Sequence, residues 1–140
     1  MFLLDTNVIS ELRRPDRANR NVAAWAASIP AASFFLSVIS ILEIEIGALR
    51  LERKDPGQGA VLRAWLDGPV FSRFEGRILP VDIRVARRCA RLHVPDRCSE
   101  RDALIAATAL AHDLTMVTRN TADFTSAGVA LLNPWEQRHN

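Results

Sequence analysis

Apolar positions along the chain switch between two periods. Phe2 to Leu4 is a short apolar run that stops at Asp5-Thr6-Asn7, residues that favour turns and helix caps; Val8, Ile9 and Leu12 then recur at helical spacing. Asn21 to Ile29 repeats the helical pattern, with Val22, Trp25, Ala26 and Ile29, until Pro30. Phe34 to Val38 reads as a second strand, and Ser40 opens a helix that runs through Arg53. Asp55-Pro56-Gly57 ends that helix, and Gln58 to Phe74 is helical with an interruption at Gly68-Pro69. Ile78 to Val81 predicts a third strand and Ile83 to Leu92 another helix. Pro95-Asp96 marks a loop, and Ala103 to His112 is alanine-rich with high helix propensity. Thr115 to Thr118 and Val129 to Leu132 complete the strands. Strands alternating with helices, with crossovers long enough for right-handed connections, specify an α/β domain with a largely parallel sheet. No repeat or linker divides residues 1–140, so a single domain is expected.

A composition of 49% hydrophobic and 24% charged residues supplies a real core and excludes a disordered chain. No apolar run approaches the ~18–20 residues of a membrane span, and an acid already stands at Asp5, so neither a membrane segment nor a secretory signal is expected and the location reads as cytoplasmic. Cys89, His93 and Cys98 form a C-x3-H-x4-C string. Neither His112 nor His139 supplies the paired spacing of structural zinc, so the cysteines read as two ordinary thiols. A net charge of +2 is too small for bulk attraction to nucleic acid. Arginine nevertheless supplies all the basic residues but Lys54. Codon bias in a high-GC genome accounts for most of that; the guanidinium fork also suits phosphate and carboxylate.

In an open parallel sheet, ligands bind beyond the carboxyl ends of the strands. Four acids stand at such places: Asp5 after the first strand, Glu43 in the helix after the second, Asp102 opening the alanine-rich helix, and Asp123 after the strand ending at Thr118. Each has a structural explanation of its own. Ser40-x-x-Glu43 and Ser99-x-x-Asp102 match the capping box, and Asp5 and Asp123 suit caps or turns. Taken together, four carboxylates converging on one sheet edge would repel one another and require a counter-charge. A hard divalent cation with oxygen ligands, Mg²⁺ or Mn²⁺, supplies it and activates water against a phosphodiester. Thr6 and Asn7 beside Asp5, and Thr118, Arg119 and Asn120 before Asp123, are short polar or basic groups suited to supporting such a site or binding phosphate. Arg119 either meets a phosphate or restrains the acids in a salt bridge.

The strings LLDTNVIS, ILEIEIGALRL, DALIAATALAHDLTMVTRN, the DF at Asp123-Phe124 and LLNPWE together resemble the PIN-domain ribonucleases of the VapC toxin family, in its FitB-like branch. The resemblance spans nearly the whole chain, and the block from Asp102 to Trp135 is its most specific part. It implies a three-layer α/β/α sandwich around a mostly parallel five-stranded sheet. It further implies a Mg²⁺- or Mn²⁺-dependent endoribonuclease, a homodimer, and neutralisation by a cognate VapB-type antitoxin through which DNA would be contacted only indirectly. Asp5 matches the acid of the family's D-T-N motif, Glu43 the acid four residues before a glycine, here Gly47. Asp102 matches the acid opening D-A-L-I-A-A and Asp123 that of R-N-x-x-D-F. The implied catalytic set is therefore Asp5, Glu43, Asp102 and Asp123, with Asp5, Asp102 and Asp123 as metal ligands. Thr118 or Asn120 matches the family's auxiliary polar position, and Glu45 falls outside the motif as a solvated or dimer-face acid.

Arg84, Arg87, Arg88 and Arg91 fall at i, i+3, i+4 and i+7, either as an RNA-facing stripe or as a solvated helix face. The apolar stretches at Val8 to Leu12 and Leu42 to Leu51, with Trp65 and Trp135, suit core, dimer or antitoxin surfaces alike. The alternative to an enzyme is a non-catalytic antitoxin-binding module acting in a DNA-bound autorepressor complex. A receiver-type phosphorylation switch is disfavoured, because Lys54 is the only lysine and lies far from the last strands.

Overall fold

The computed structural model describes residues 1–136; His139, weighed above as a metal ligand, lies outside them. Five strands, β1 (Phe2–Leu4), β2 (Phe34–Ser37), β3 (Ile78–Leu79), β4 (Thr115–Val117) and β5 (Leu131–Leu132), form one sheet in the order β3-β2-β1-β4-β5. Every neighbouring pair is parallel. Successive side chains of a strand point to opposite faces, and here they feed two cores. Leu4, Leu36 and Val117 enter one, packed with Val8, Leu66 and Val70; Leu3 and Met116 enter the other, packed with Ile105, Ala106 and Phe124.

The helices are α1 (Thr6–Glu11), α2 (Arg20–Ala27), α3 (Val38–Lys54), α4 (Pro56–Trp65), α5 (Phe71–Arg73), α6 (Ile83–Leu92) and α7 (Glu100–Ala111). They cover both faces of the sheet, giving the three-layer α/β/α sandwich. Outside α7 lies α6, whose Val85 and Cys89 pack against Ala103, Ala107 and Ala111.

Strand β3 ends at Leu79 rather than Val81, β5 begins at Leu131 rather than Val129, and α7 begins at Glu100 ahead of the alanine-rich stretch; two further differences have a local cause. Val38 belongs to α3 rather than to β2, because the Ser37 hydroxyl accepts from the Ile39 N–H at 3.0 Å and caps the helix three residues before Ser40. Gly68-Pro69 does not break the chain's winding; Leu66–Val70 continue as a π-helical turn, with Leu66 and Val70 both buried. A wide turn accommodates a proline that cannot donate a backbone hydrogen bond. Asp55 closes α3 and also caps α4, its carboxylate accepting from the Gln58 N–H at 3.2 Å. The resulting hairpin is tight: a Cβ at Gly59 would lie 2.5 Å from Glu52 Cα.

Candidate active site

The strand order reverses direction at β1, which lies between β2 and β4. At such a switch point the connections leave on opposite faces and open a crevice at the strand ends. Asp5 follows β1 there and Thr118 follows β4. The Asp5 N–H donates to the Val117 carbonyl at 2.8 Å, so the pairing of the two strands carries Asp5 into the crevice.

Asp5 is only 6% exposed. It caps α1 by accepting from the Thr6 N–H at 2.8 Å through Oδ1, and the Thr118 hydroxyl donates to Oδ2 at 2.8 Å. Thr118 is itself held: its Oγ1 accepts from the Asn120 N–H at 3.1 Å and from Asn7 Nδ2 at 3.4 Å. Asn7 Nδ2 also approaches Asp5 Oδ2 at 3.4 Å, and Asn7 Oδ1 accepts from the Arg119 N–H at 3.4 Å. Of the auxiliary pair, it is thus the Thr118 side chain that touches the carboxylate, while Asn120 acts through its backbone. Burial raises the Asp5 pKa above the ordinary carboxylate value. The Thr118 and Thr6 hydrogen bonds oppose this, and the charges of Asp102 and Glu43 add to it.

Glu43 reaches the same place from α3. The Thr6 hydroxyl donates to its Oε1 at 2.7 Å and shares a hydrogen bond with Ser40 Oγ at 2.9 Å. Arg101 Nη1 lies 3.8 Å from Glu43 Oε2. Asp102, in the first turn of α7, also has a raised pKa, first from burial, then from Glu43 and Asp123, with Arg101 opposing. Asp123 is exposed on the 3₁₀ segment Thr121–Ala127. Asp102 and Asp123 line a cavity of about 400 Å³ together with the loop 96–99, which adds Asp96 and Arg97; Asp5 and Glu43 lie outside its lining and are coupled to Asp102 by charge.

The capping-box explanations fall away. Ser40 is inside α3, with its hydroxyl turned to Thr6, and Ser99 precedes α7 without a side-chain cap bond. Glu43 and Asp102 are therefore free of that duty, while Asp5 serves as both cap and site residue. Arg119 makes no ion pair with these acids among the described residues; its guanidinium lies 5.2 Å over the Trp135 ring. Arg101, which carries no local signal beyond adjacency to Asp102, takes the place of counter-charge. Glu45 is not simply solvated: it pairs with Arg63, which also holds Glu52 at 3.0 Å and so bridges α3 to α4.

An all-carboxylate oxygen donor set with one arginine against four acids has the chemistry that Mg²⁺ or Mn²⁺ requires. Among the described residues no three acids already converge to a closed ligand set, so the four share a charged space rather than a clamp.

A parallel sheet with carboxylates gathered at its switch point defines the class. A PIN domain model matches residues 2–129, and the chain belongs to the PIN-domain family. Among its relatives there are proteins named as toxins and ribonucleases. The chain is 42% identical to Toxin FitB of Neisseria gonorrhoeae, over 96% of this chain and 99% of that one. It is 36% identical to VapC ribonuclease Y4jK of Sinorhizobium fredii, over 97% and 99%. A solved structure of FitAB bound to a DNA fragment, IR36, superposes with a TM-score of 0.88 at 38% identity, covering 99% of each chain.

Proposed function

We propose that this chain is the toxin of a type II toxin–antitoxin pair and that it acts as a Mg²⁺- or Mn²⁺-dependent endoribonuclease. The observation that carries this reading is the placement of Asp5 and Glu43 on the shared Thr6, with Asp5 also held by Thr118, beside a cavity lined by Asp102 and Asp123. Asp5, Asp102 and Asp123 would hold the cation. When bound, such an ion neutralises phosphate charge and lowers the pKa of a water that hydrolyses the phosphodiester.

The chain's own groups do the rest. Thr118 and the Thr6 N–H favour the ionised form of Asp5 against its burial and fix its orientation. Glu43, aimed by the Thr6 hydroxyl, orients the attacking water and accepts its proton at a carboxylate oxygen. In-line attack breaks the bond from phosphorus to the 3′-oxygen, which takes up a proton from solvent, leaving a 5′-phosphate and a 3′-hydroxyl without use of the 2′-hydroxyl. Arg119, stacked on Trp135 at the end of β4, meets a phosphate of the RNA.

A VapB-type antitoxin is the partner this reading requires. An apolar cleft of about 520 Å³, with Ile9, Leu12, Trp65 and Phe74 on its walls, suits an apolar segment of it. An arginine on that segment would compete with the cation for the acids. DNA is reached only through the antitoxin, a reading supported by the DNA-bound FitAB structure. Leu42, Leu49 and Val61 expose apolar surface on the α3–α4 hairpin, the face we assign to a homodimer contact. No helix of the described residues is long and apolar enough to cross a membrane.

The test is cleavage of defined RNAs by the purified chain with Mg²⁺ or Mn²⁺, with EDTA, and by Asp5→Asn. Cleavage that EDTA and Asp5→Asn both abolish, with 5′-phosphate products, is expected. A folded protein that shows no saturable Mn²⁺ site and cuts nothing would support a non-catalytic antitoxin-binding module instead.

A further inference from the structure

The outer face of α6 is the most strongly one-signed surface described above that the proposed chemistry leaves unused. Arg84, Arg87, Arg88 and Arg91 are all exposed and, with Ile83, line an open concavity of about 430 Å³. The opposite face of the same helix is buried, with Val85 and Cys89 packed on α7. None of the four arginines makes an ion pair among the described residues. Asp82, the acid that precedes the helix, is engaged as its cap, accepting from the Val85 N–H at 2.9 Å. Like charges at i, i+3 and i+4 repel, and a solvated helix face ordinarily offsets them with acids at the same spacing. Here no acid does so, and the face matches a ligand that brings several negative charges of its own.

Its position says which ligand. Leu92, the residue after Arg91, and Arg97 in the following loop line the cavity that holds Asp102 and Asp123. From that cavity the arginines run outward along α6 for about 10 Å, at 1.5 Å of rise per residue. A cluster of carboxylates repels a polyanion; a strand that enters it needs cationic contacts beside the acids. We propose that the α6 face is a phosphate track for single-stranded RNA, holding backbone phosphates flanking the scissile one without reading bases. The proposal rests on the ribonuclease reading given above.

The probe is a fluorescent single-stranded RNA long enough to cross α6, titrated by anisotropy in EDTA at several salt concentrations. Arg87→Gln with Arg91→Gln should lower the slope of log affinity against log salt by about 1.4, two phosphate contacts at roughly 0.7 each on a single strand. Affinity should fall alike for unrelated sequences, Arg87→Lys with Arg91→Lys should restore the slope, and melting should be unchanged. In Mn²⁺ the glutamine pair should raise KM for the long RNA while cleavage of a dinucleotide, which cannot reach α6, stays at the wild-type rate. An unchanged salt slope overturns the track, as does an equal loss on the dinucleotide, or a loss confined to duplex DNA. Failure of the ribonuclease reading looks different: the wild-type chain would cut neither RNA nor dinucleotide, and the salt slope would still decide the track.

Discussion

Thr118→Val isolates the support of the acid cluster from the cluster itself. The hydroxyl is fully buried, donates to Asp5 Oδ2 at 2.8 Å, and accepts from the Asn120 N–H at 3.1 Å. Valine keeps the shape and removes all of this. A hydrogen bond to a charged group is worth about 1.5–3 kcal/mol, and losing it leaves a buried carboxylate less able to ionise. Metal binding needs the ionised form, so divalent affinity should fall about 10- to 100-fold, as for other groups that orient a metal ligand. Because Thr118 lowers a pKa that burial has raised, its removal moves the Asp5 pKa further up. The acid limb of the cleavage profile should therefore move to higher pH. Mn²⁺ titration calorimetry near neutrality, with RNA cleavage across pH, measures both effects; Thr118→Ser should retain most of each. A folded Thr118→Val protein with wild-type Mn²⁺ affinity and an unmoved acid limb would refute the assignment of Asp5 as a ligand held by Thr118.

Asp5→Asn should melt at a higher temperature than wild type near neutral pH in EDTA. A carboxyl whose folded pKa is raised contributes stability that is complete below its unfolded pKa and is lost as pH rises through the folded one. The gap should close as pH falls below the ordinary aspartate value; melting curves over a pH series check this, and a less stable variant at neutral pH counts against it. Gly59→Ala should destabilise the fold by about 1–3 kcal/mol in urea melts. Alanine would normally gain nearly 1 kcal/mol inside a helix, but its Cβ would meet the Glu52 backbone at 2.5 Å. Unchanged stability there would mean that α3 and α4 do not lie so close. Arg101→Gln should change stability by no more than about 1 kcal/mol, as expected for an exposed pair. It should nevertheless shift the acid limb of cleavage upward, since Arg101 lowers the Asp102 pKa.

Much of this was legible in the chain because period and punctuation coincide. Each strand ends near a residue that prefers caps or turns, and the four acids stand at or just beyond those junctions, so parallel topology alone carries them to one edge. Local pattern misled where a residue's partner is distant. Ser40 satisfies the spacing of a helix cap, yet Ser37 takes that role, and the Ser40 hydroxyl is engaged by Thr6 from another element. Val38 is β-branched and follows an aromatic run, which mimics strand, but the Ser37 bond to Ile39 N–H ends the extended backbone first. The Arg63 bridge to Glu45 and Glu52 and the close approach at Gly59 arise only from the docking of α4 on α3. Neither spacing nor composition announces them.

Placing β1 between β2 and β4 has a consequence for the chain while it is being made. Asp5 leaves the ribosome among the first residues, but the Thr118 hydroxyl that holds it is 113 positions behind, and Asp123 comes later still. At translation rates of about 5–20 residues per second, the reactive arrangement cannot assemble until nearly the whole polypeptide has emerged. On the reading proposed above, a nascent or prematurely terminated product would lack the Thr118 contact to Asp5 and the Asp123 carboxylate, and a freshly synthesised partner would gain that interval in which to arrive.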